Sequence, residues 1–97
     1  MTWEQMVEKK KCYVTVTAMH YINGLNVPQL VETSKGRFMV EKIKNIQKLS
    51  PQNDLKADER TLVVLNGEDH YLYRKGVRWF MVRSPENKNI VELIGEN

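Results

Sequence analysis

The segment 60–82 constrains the fold most, because it consists of three β-rich runs joined by two short glycine turns. It reads RTLVVL, NG, EDHYLYR, KG and VRWFMV in order. Asn66-Gly67 is typical of a two-residue type I′ turn, in which both central residues have positive φ. Lys75-Gly76 supplies the second turn. The segment therefore predicts a three-stranded antiparallel meander.

The predicted meander carries apolar side chains on both faces. A two-residue turn at Asn66-Gly67 sets Leu62 opposite Tyr71 and Val63 opposite His70, and a Lys75-Gly76 loop sets Leu72 opposite Trp79. One face then consists of Val63, His70, Leu72, Trp79 and Met81, and the other of Leu62, Val64, Tyr71, Tyr73, Phe80 and Val82. A sheet that is apolar on both sides does not leave either face in water. One face should close on the remaining strands, and the other should be covered by an N-terminal helix, the C-terminal tail or a second molecule.

The first half of the chain predicts further strands. KCYVTVTAMHY (11–21) is rich in β-branched residues, and a turn at Asn23-Gly24 separates it from VPQLVET (27–33). FMVEKIKNIQKL (38–49) fits two structures. Apolar residues at every third position suit a helix. A strand requires a bulge near Glu41-Lys42, and we favour the strand because a tight turn at Gly36 precedes it. That bulge would bring onto one face Phe38, Val40, Ile43 and Asn45.

These features predict a single all-β domain over residues 1–97. About six antiparallel strands joined mostly by short turns are typical of a meander that forms a small barrel or sandwich. Residues 11–83 are expected to form the core, with residues 1–10 and 84–97 peripheral. Residues 2–9 have the capping pattern of a short helix, and NIVELIGEN (89–97) is expected to add a short edge strand or to pack loosely.

Four short motifs follow one another along residues 11–83: KCYVTVTA, GRFMVEKI, LKADERTLVV and HYLYRKGVRWFMV. Taken in this order they resemble a group of short bacterial proteins, common in Firmicutes, that carry a domain of unknown function. The resemblance implies an all-β meander in the bacterial cytosol. Because the group has no assigned activity, it implies no catalytic residue.

The compartment is also indicated by the sequence itself. The chain has one cysteine, Cys12, no long apolar run and no secretory signal pattern at its N-terminus. These features favour a cytoplasmic protein without a membrane span.

Residues suited to metal binding or nucleophilic catalysis are few and scattered. Glu68 and His70 would share one side of a strand, but solvated turn residues explain this cluster better than a metal site. Cys12 with His20 or His70 lacks the glycine-rich elbow or helix N-terminus that activates a thiol. The five glycines are isolated, so no phosphate-binding loop is present. We therefore expect a protein that is not an enzyme and has no metal and no cofactor.

The remaining candidate function is binding through the aromatic and basic residues of the C-terminal hairpin. These side chains are equally compatible with a core position, but Trp, Tyr and Arg are also enriched at interface anchors. A protein partner or self-association is favoured. The alternative is single-stranded nucleic acid on a small β-barrel, with Lys9–Lys11, Lys42, Lys44 and Lys48 extending the contact. Fifteen basic residues against 12 acidic ones, a net charge of +3, support nucleic acid only weakly. The predicted partner-binding residues are Tyr71, Tyr73, Arg74, Lys75, Arg78 and Trp79.

Overall fold

A computed structural model describes residue 2 and residues 10–84 and 88–95 of the chain. The strands are β1 (Lys11–His20), β2 (Asn26–Thr33), β3 (Gly36–Met39), β4 (Lys42–Lys48), β5 (Glu59–Leu65), β6 (Glu68–Lys75) and β7 (Arg78–Val82). A 3-10 turn (Lys88–Ile90) leads into one α-helical turn (Val91–Ile94), and the two together are called the C-terminal helical segment. The helix predicted for residues 2–9 lies outside the described residues, apart from Thr2.

The seven strands form one antiparallel sheet in the order β3-β2-β1-β7-β6-β5-β4. Strand β1 joins the two halves of the sheet. Residues 11–14 of β1 pair with β7, whereas residues 15–20 pair with β2. A strand that changes partner in this way bends the sheet, because its two halves follow different neighbours.

The chain changes partner a second time between β3 and β4. The Val40 N–H donates to the Gln29 carbonyl of β2 (3.0 Å), and the next N–H, that of Glu41, donates to the Val64 carbonyl of β5 (2.9 Å). β2 and β5 therefore approach each other at this point, although three strands separate them within the sheet: β1, β7 and β6. The sheet is consequently curled into a half-barrel with a concave inner face.

The inner face holds the hydrophobic core. Alternate residues of each strand point inward, so the half-buried Val14 of β1 packs against fully buried residues of the later strands. The buried core consists of Val31, Val63, Leu65, Leu72, Trp79, Met81, Ile90, Leu93 and Ile94.

The C-terminal helical segment closes one end of the curl. The Thr33 hydroxyl donates to the Leu93 carbonyl, and the Arg83 guanidinium donates to the Ile94 carbonyl (Nη2 to O, 3.4 Å). Ile90, Leu93 and Ile94 are buried in the core. The sequence left an edge strand or loose packing open for this region and assigned residues 84–97 to the periphery. The segment is instead helical, and its apolar side chains fill the end of the half-barrel.

The structure confirms the prediction of a mainly-β fold. It corrects the number of strands and the position of one turn. Residues 38–49 are extended and not helical, but a break at Val40-Glu41 divides them into two strands, which gives seven strands instead of six. The bulge lies between Ile43 and Asn45, and Asn45 is exposed. The Asn66-Gly67 turn has positive φ at both residues (52° and 79°), as expected.

The second turn of the meander is Gly76-Val77 and not Lys75-Gly76, because Lys75 pairs with Arg78. Trp79 therefore lies opposite Arg74 instead of Leu72. This moves the pairing by two residues along β6, and a shift of two leaves every side chain on its predicted face.

Candidate interaction surface

The convex side of β5, β6 and β7 carries a cluster of aromatic rings, and we call this side the outer face. Tyr73 stacks on Phe80 with a centroid distance of 5.5 Å and an interplanar angle of 13°. Tyr13 of β1 lies 5.6 Å from Phe80, and Tyr71 lies 6.2 Å from Tyr73. Phe80 is fully buried at the centre of the cluster, whereas Tyr13 and Tyr71 are about two-fifths exposed (40% and 39%).

Three cations lie over the rings of this cluster. The Arg78 guanidinium carbon is 3.9 Å from the Tyr13 centroid, and that of Arg60 is 4.6 Å from the Tyr71 centroid. Lys11 Nζ lies 4.8 Å from the centroid of the buried Phe80. In each contact the positive charge is attracted by the quadrupole of the aromatic ring. An exposed contact of this kind stabilises the fold by about 0.5–1 kcal/mol.

Arg60 is held over its ring by a neighbouring strand. Its Nε donates to Gln47 Oε1 of β4 at 2.9 Å. The register pairs Arg60 with Gln47 on one side and with Tyr73 on the other. The sheet therefore holds this guanidinium in position over the Tyr71 ring.

A groove of about 520 Å³ opens on the outer face beside these rings. Its apolar walls come from cross-strand neighbours, since Leu62 of β5 lies opposite Tyr71 of β6. Among the described residues it is lined by Leu62, Asp69, His70, Tyr71, Tyr73, Val82 and Ser84. The lining combines aliphatic and aromatic side chains with a few polar groups, as binding grooves commonly do.

Two of the six predicted partner-binding residues point to the opposite side of the sheet. Trp79 is only 5% exposed and belongs to the inner core. Arg74 pairs with Glu59 across β5 and β6 (Nη2 to Oε2, 3.5 Å), and the exposed fractions of the two side chains are 17% and 2%. Neither residue lies beside Tyr71 and Tyr73 on the outer face, because odd and even residues of a strand face opposite ways.

The other two cations lie at the β6–β7 turn. Lys75 Nζ forms an exposed ion pair with Asp58 (3.2 Å), while Arg78 stacks on Tyr13. The Gly76 N–H also donates to Asp58 Oδ2 at 2.8 Å. This backbone hydrogen bond, followed by that from Lys75, lowers the pKa of Asp58 below its usual 3.8. The turn is thus tied to the start of β5.

His70 borders the groove, but its position in β6 directs its side chain to the inner face, together with Leu72. His70 is 3% exposed and lies opposite Val63. Burial lowers the pKa of His70 from its usual 6.5, and the carboxylates of Glu68, Asp69 and Glu92 oppose this shift. The imidazole is therefore neutral at pH 7 and acts as a core side chain.

Sequence reasoning did not identify two residues of the outer face. Tyr13 and Arg60 belong to this surface, and Tyr13 lies far from the hairpin along the chain. The pairing of β1 with β7 brings Tyr13 opposite Phe80. Arg60 could have been found from the Asn66-Gly67 register alone, which sets it opposite Tyr73.

Within residues 10–84 and 88–95, no group of three or more His, Cys, Asp or Glu side chains converges as a metal site. The same part of the chain contains no helix long and apolar enough to cross a bilayer.

No protein-family model, curated protein or solved structure matches this chain.

Proposed function

We propose that this domain is a non-enzymatic interaction module that binds another protein through the outer face of β5, β6 and β7. The observation that carries the proposal is the groove of about 520 Å³ beside the half-exposed Tyr71. Tyrosines that keep part of their ring in solvent, next to an apolar depression, are characteristic anchors of protein interfaces.

The cation contacts favour a protein over single-stranded nucleic acid. Proteins that bind single strands stack bases on the open faces of aromatic rings. Here Arg78 lies over Tyr13 and Arg60 lies over Tyr71, at 3.9 and 4.6 Å from the ring centroids. A base would have to displace these guanidinium groups, whereas a protein side chain can bind in the groove and leave them in place.

The same cations disfavour a second copy of this chain as the partner. Two outer faces brought together would place Arg60 and Arg78 of one copy close to those of the other. Like charges in contact oppose association by several kcal/mol when they are desolvated. A different protein, with carboxylates at the rim of its binding site, meets no such penalty.

Quantitative capture of partners tests the proposal. The tagged chain and its Tyr71→Ala variant are used as bait in extract from native cells, and bound proteins are quantified by mass spectrometry. We expect one or a few proteins to bind saturably and to be lost at least tenfold with Tyr71→Ala, because this change removes a groove wall.

Tyr21→Ala is the matched control, since Tyr21 is also an exposed tyrosine (49%) but lies at the turn after β1. It should leave capture unchanged. Equal loss in both variants, or no protein that depends on Tyr71, would contradict the proposal. Capture of nucleic acid that depends on Tyr71 would favour the alternative.

A further inference from the structure

We propose that the free edge of β4 binds an extended acidic segment of a partner protein as an additional strand of the sheet. β4 is the last strand in the sheet order, and β5 is the one described strand that pairs with it. The proposal rests on the proposed function for its partner class, because it assigns a second surface of the same module to a protein. The contacts that carry it are nevertheless independent of the groove.

The backbone of β4 presents unpaired groups at this edge. The Leu49 N–H donates to the Asp58 carbonyl at 2.9 Å, and the same register pairs Gln47 with Arg60. Because hydrogen-bonded pairs alternate along an antiparallel ladder, Leu49 and Gln47 face β5, while Ile46 and Lys48 direct their N–H and C=O groups away from it. These outward groups can hydrogen-bond to an extended chain.

The side chains of β4 indicate the charge that a bound segment should carry. The strand reads KIKNIQK, with three lysines and no acidic residue. Lys42, Lys44 and Lys48 are all exposed, and Lys44 pairs with Asp69 at 3.0 Å. A strand added beside them gains by placing carboxylates opposite lysines, since opposite charges across strands are favourable by about 0.2–1 kcal/mol per pair.

The inner side of β4 indicates where the bound segment should carry apolar residues. Ile43 and Ile46 point inward and are only half-buried, because no strand of the described chain lies beyond them. An added strand with apolar residues on its inner face would complete their burial. Lys42 lies opposite Val64 on the outer side of the sheet, whereas Lys48 lies opposite Glu59 and follows Ile46 on the inner side. The expected ligand is therefore an extended segment in which acidic and apolar residues alternate opposite residues 42–46, with the exposed Lys48 at one end of it.

A second copy of this chain does not fit the edge. Antiparallel pairing of β4 with β4 would bring together two strands that each carry three lysines and no acidic residue. Like charges directly opposite one another are destabilising. Lysines on an edge strand protect against such self-pairing, and the same charges select an acidic partner.

Titration of the purified ¹⁵N-labelled chain with a capped nine-residue peptide of alternating valine and glutamate tests the proposal. We expect saturable binding and slower exchange, by at least tenfold, of the Ile46 and Lys48 amide protons. Gln47 is the internal control, because its amide already faces β5. The matching valine–lysine peptide should not bind.

Two variants distinguish the contribution of backbone hydrogen bonds to binding from the contribution of charge. Lys48→Pro removes one outward N–H without breaking a hydrogen bond to β5, so it should weaken binding at least tenfold. Lys48→Ala removes only the charge and should weaken binding a few-fold. If Lys48→Pro perturbs the fold, the double change Lys42→Glu with Lys48→Glu replaces it. This change should abolish binding of the glutamate peptide and confer binding of the lysine peptide.

No binding, equal binding of both peptides, or protection confined to other strands would overturn the proposal and leave the lysines with a protective role alone. The assay does not use the groove, so Tyr71→Ala should bind the peptide normally. Failure at β4 with intact Tyr71-dependent capture would reject only the edge. The reverse pattern would reject only the groove.

Discussion

The inner face of the half-barrel contains two charged residues that are largely buried, Arg74 and Glu59. Arg74 and Glu59 form an ion pair inside the half-barrel, next to Thr61 and opposite Trp79. Glu59 Oε1, Thr61 Oγ1 and Arg74 Nε have no hydrogen-bond partner among the described residues. Buried ion pairs of this kind contribute little net stability, but removal of one partner leaves a costly unpaired charge.

Arg74→Ala is therefore predicted to lower the free energy of unfolding by about 3–5 kcal/mol, because it leaves Glu59 buried without its partner. Arg78→Ala is the matched control and should cost about 1 kcal/mol or less, since Arg78 is exposed and stacks on one ring. Urea unfolding of both variants measures the difference. Similar losses from the two substitutions would show that Arg74 is not a structural charge.

His70 predicts a dependence of stability on pH. Burial lowers its pKa in the folded state, so the unfolded chain takes up a proton first as the pH falls below about 6.5. Stability is therefore fully present above pH 6.5. It is lost between that value and the lower folded pKa, with a slope of at most about 1.4 kcal/mol per pH unit.

Urea unfolding between pH 7.5 and 5.5 checks this prediction. His70→Leu should flatten the slope, whereas substitution of the exposed His20 by Gln should leave it as it is. An unchanged slope in His70→Leu would show that other groups cause the dependence.

Among the elements, the C-terminal helical segment is the one whose role differs most from the sequence prediction. Its apolar residues, Ile90, Leu93 and Ile94, have the spacing of a helical face. A segment of this length has no stable helix of its own, so its structure depends on packing against the half-barrel. Local sequence could not reveal that contact, because the residues that donate to its carbonyls are Thr33 at the end of β2 and Arg83 just after β7.

Leu93→Ala is predicted to lower the free energy of unfolding by about 2–5 kcal/mol, because Leu93 is fully buried at the end of the curl. Val91→Ala is the control, since Val91 is 37% exposed in the same helical turn, and it should cost less than about 1 kcal/mol. Denaturant unfolding of the two variants measures both values. A small effect of Leu93→Ala would mean that the segment packs loosely after all.

The strands themselves were largely predictable. Alternation and turn residues located β1, β2 and the meander, and the Asn66-Gly67 turn gave the correct pairing of Leu62 with Tyr71. The break at Val40-Glu41 was not predictable, because it arises where the chain changes partner from β2 to β5. No local signal marks such a change, since both halves remain extended.

At the scale of the whole molecule, the curl decides which apolar face is core. The sequence assigned Trp79 and Phe80 to opposite faces correctly, but it could not say which face would be concave. As a result, Trp79 and Arg74 were grouped with Tyr71 and Tyr73 as one binding surface, although the sheet lies between them. The groove and the stacking of Arg78 on Tyr13 of β1 depend on long-range pairing and are visible only in the folded chain.

The charge distribution of the whole molecule predicts weak binding to nucleic acid. The net charge is only +3, and cations already lie over the two half-exposed rings. Fluorescence anisotropy with labelled single-stranded DNA and RNA should show no saturable binding at physiological salt. Micromolar binding that weakens steeply with salt and is lost in Tyr71→Ala would favour the nucleic-acid alternative.

The most direct test of the account places a photo-crosslinking phenylalanine, p-benzoylphenylalanine, at position 71 in native cells. The same group at position 21, another exposed tyrosine, is the control. If the outer face binds another protein, irradiation will give a discrete adduct with that protein from position 71 and not from position 21. No adduct above the position-21 background, or an adduct with nucleic acid alone, would contradict the assignment of the outer face as a protein-binding surface.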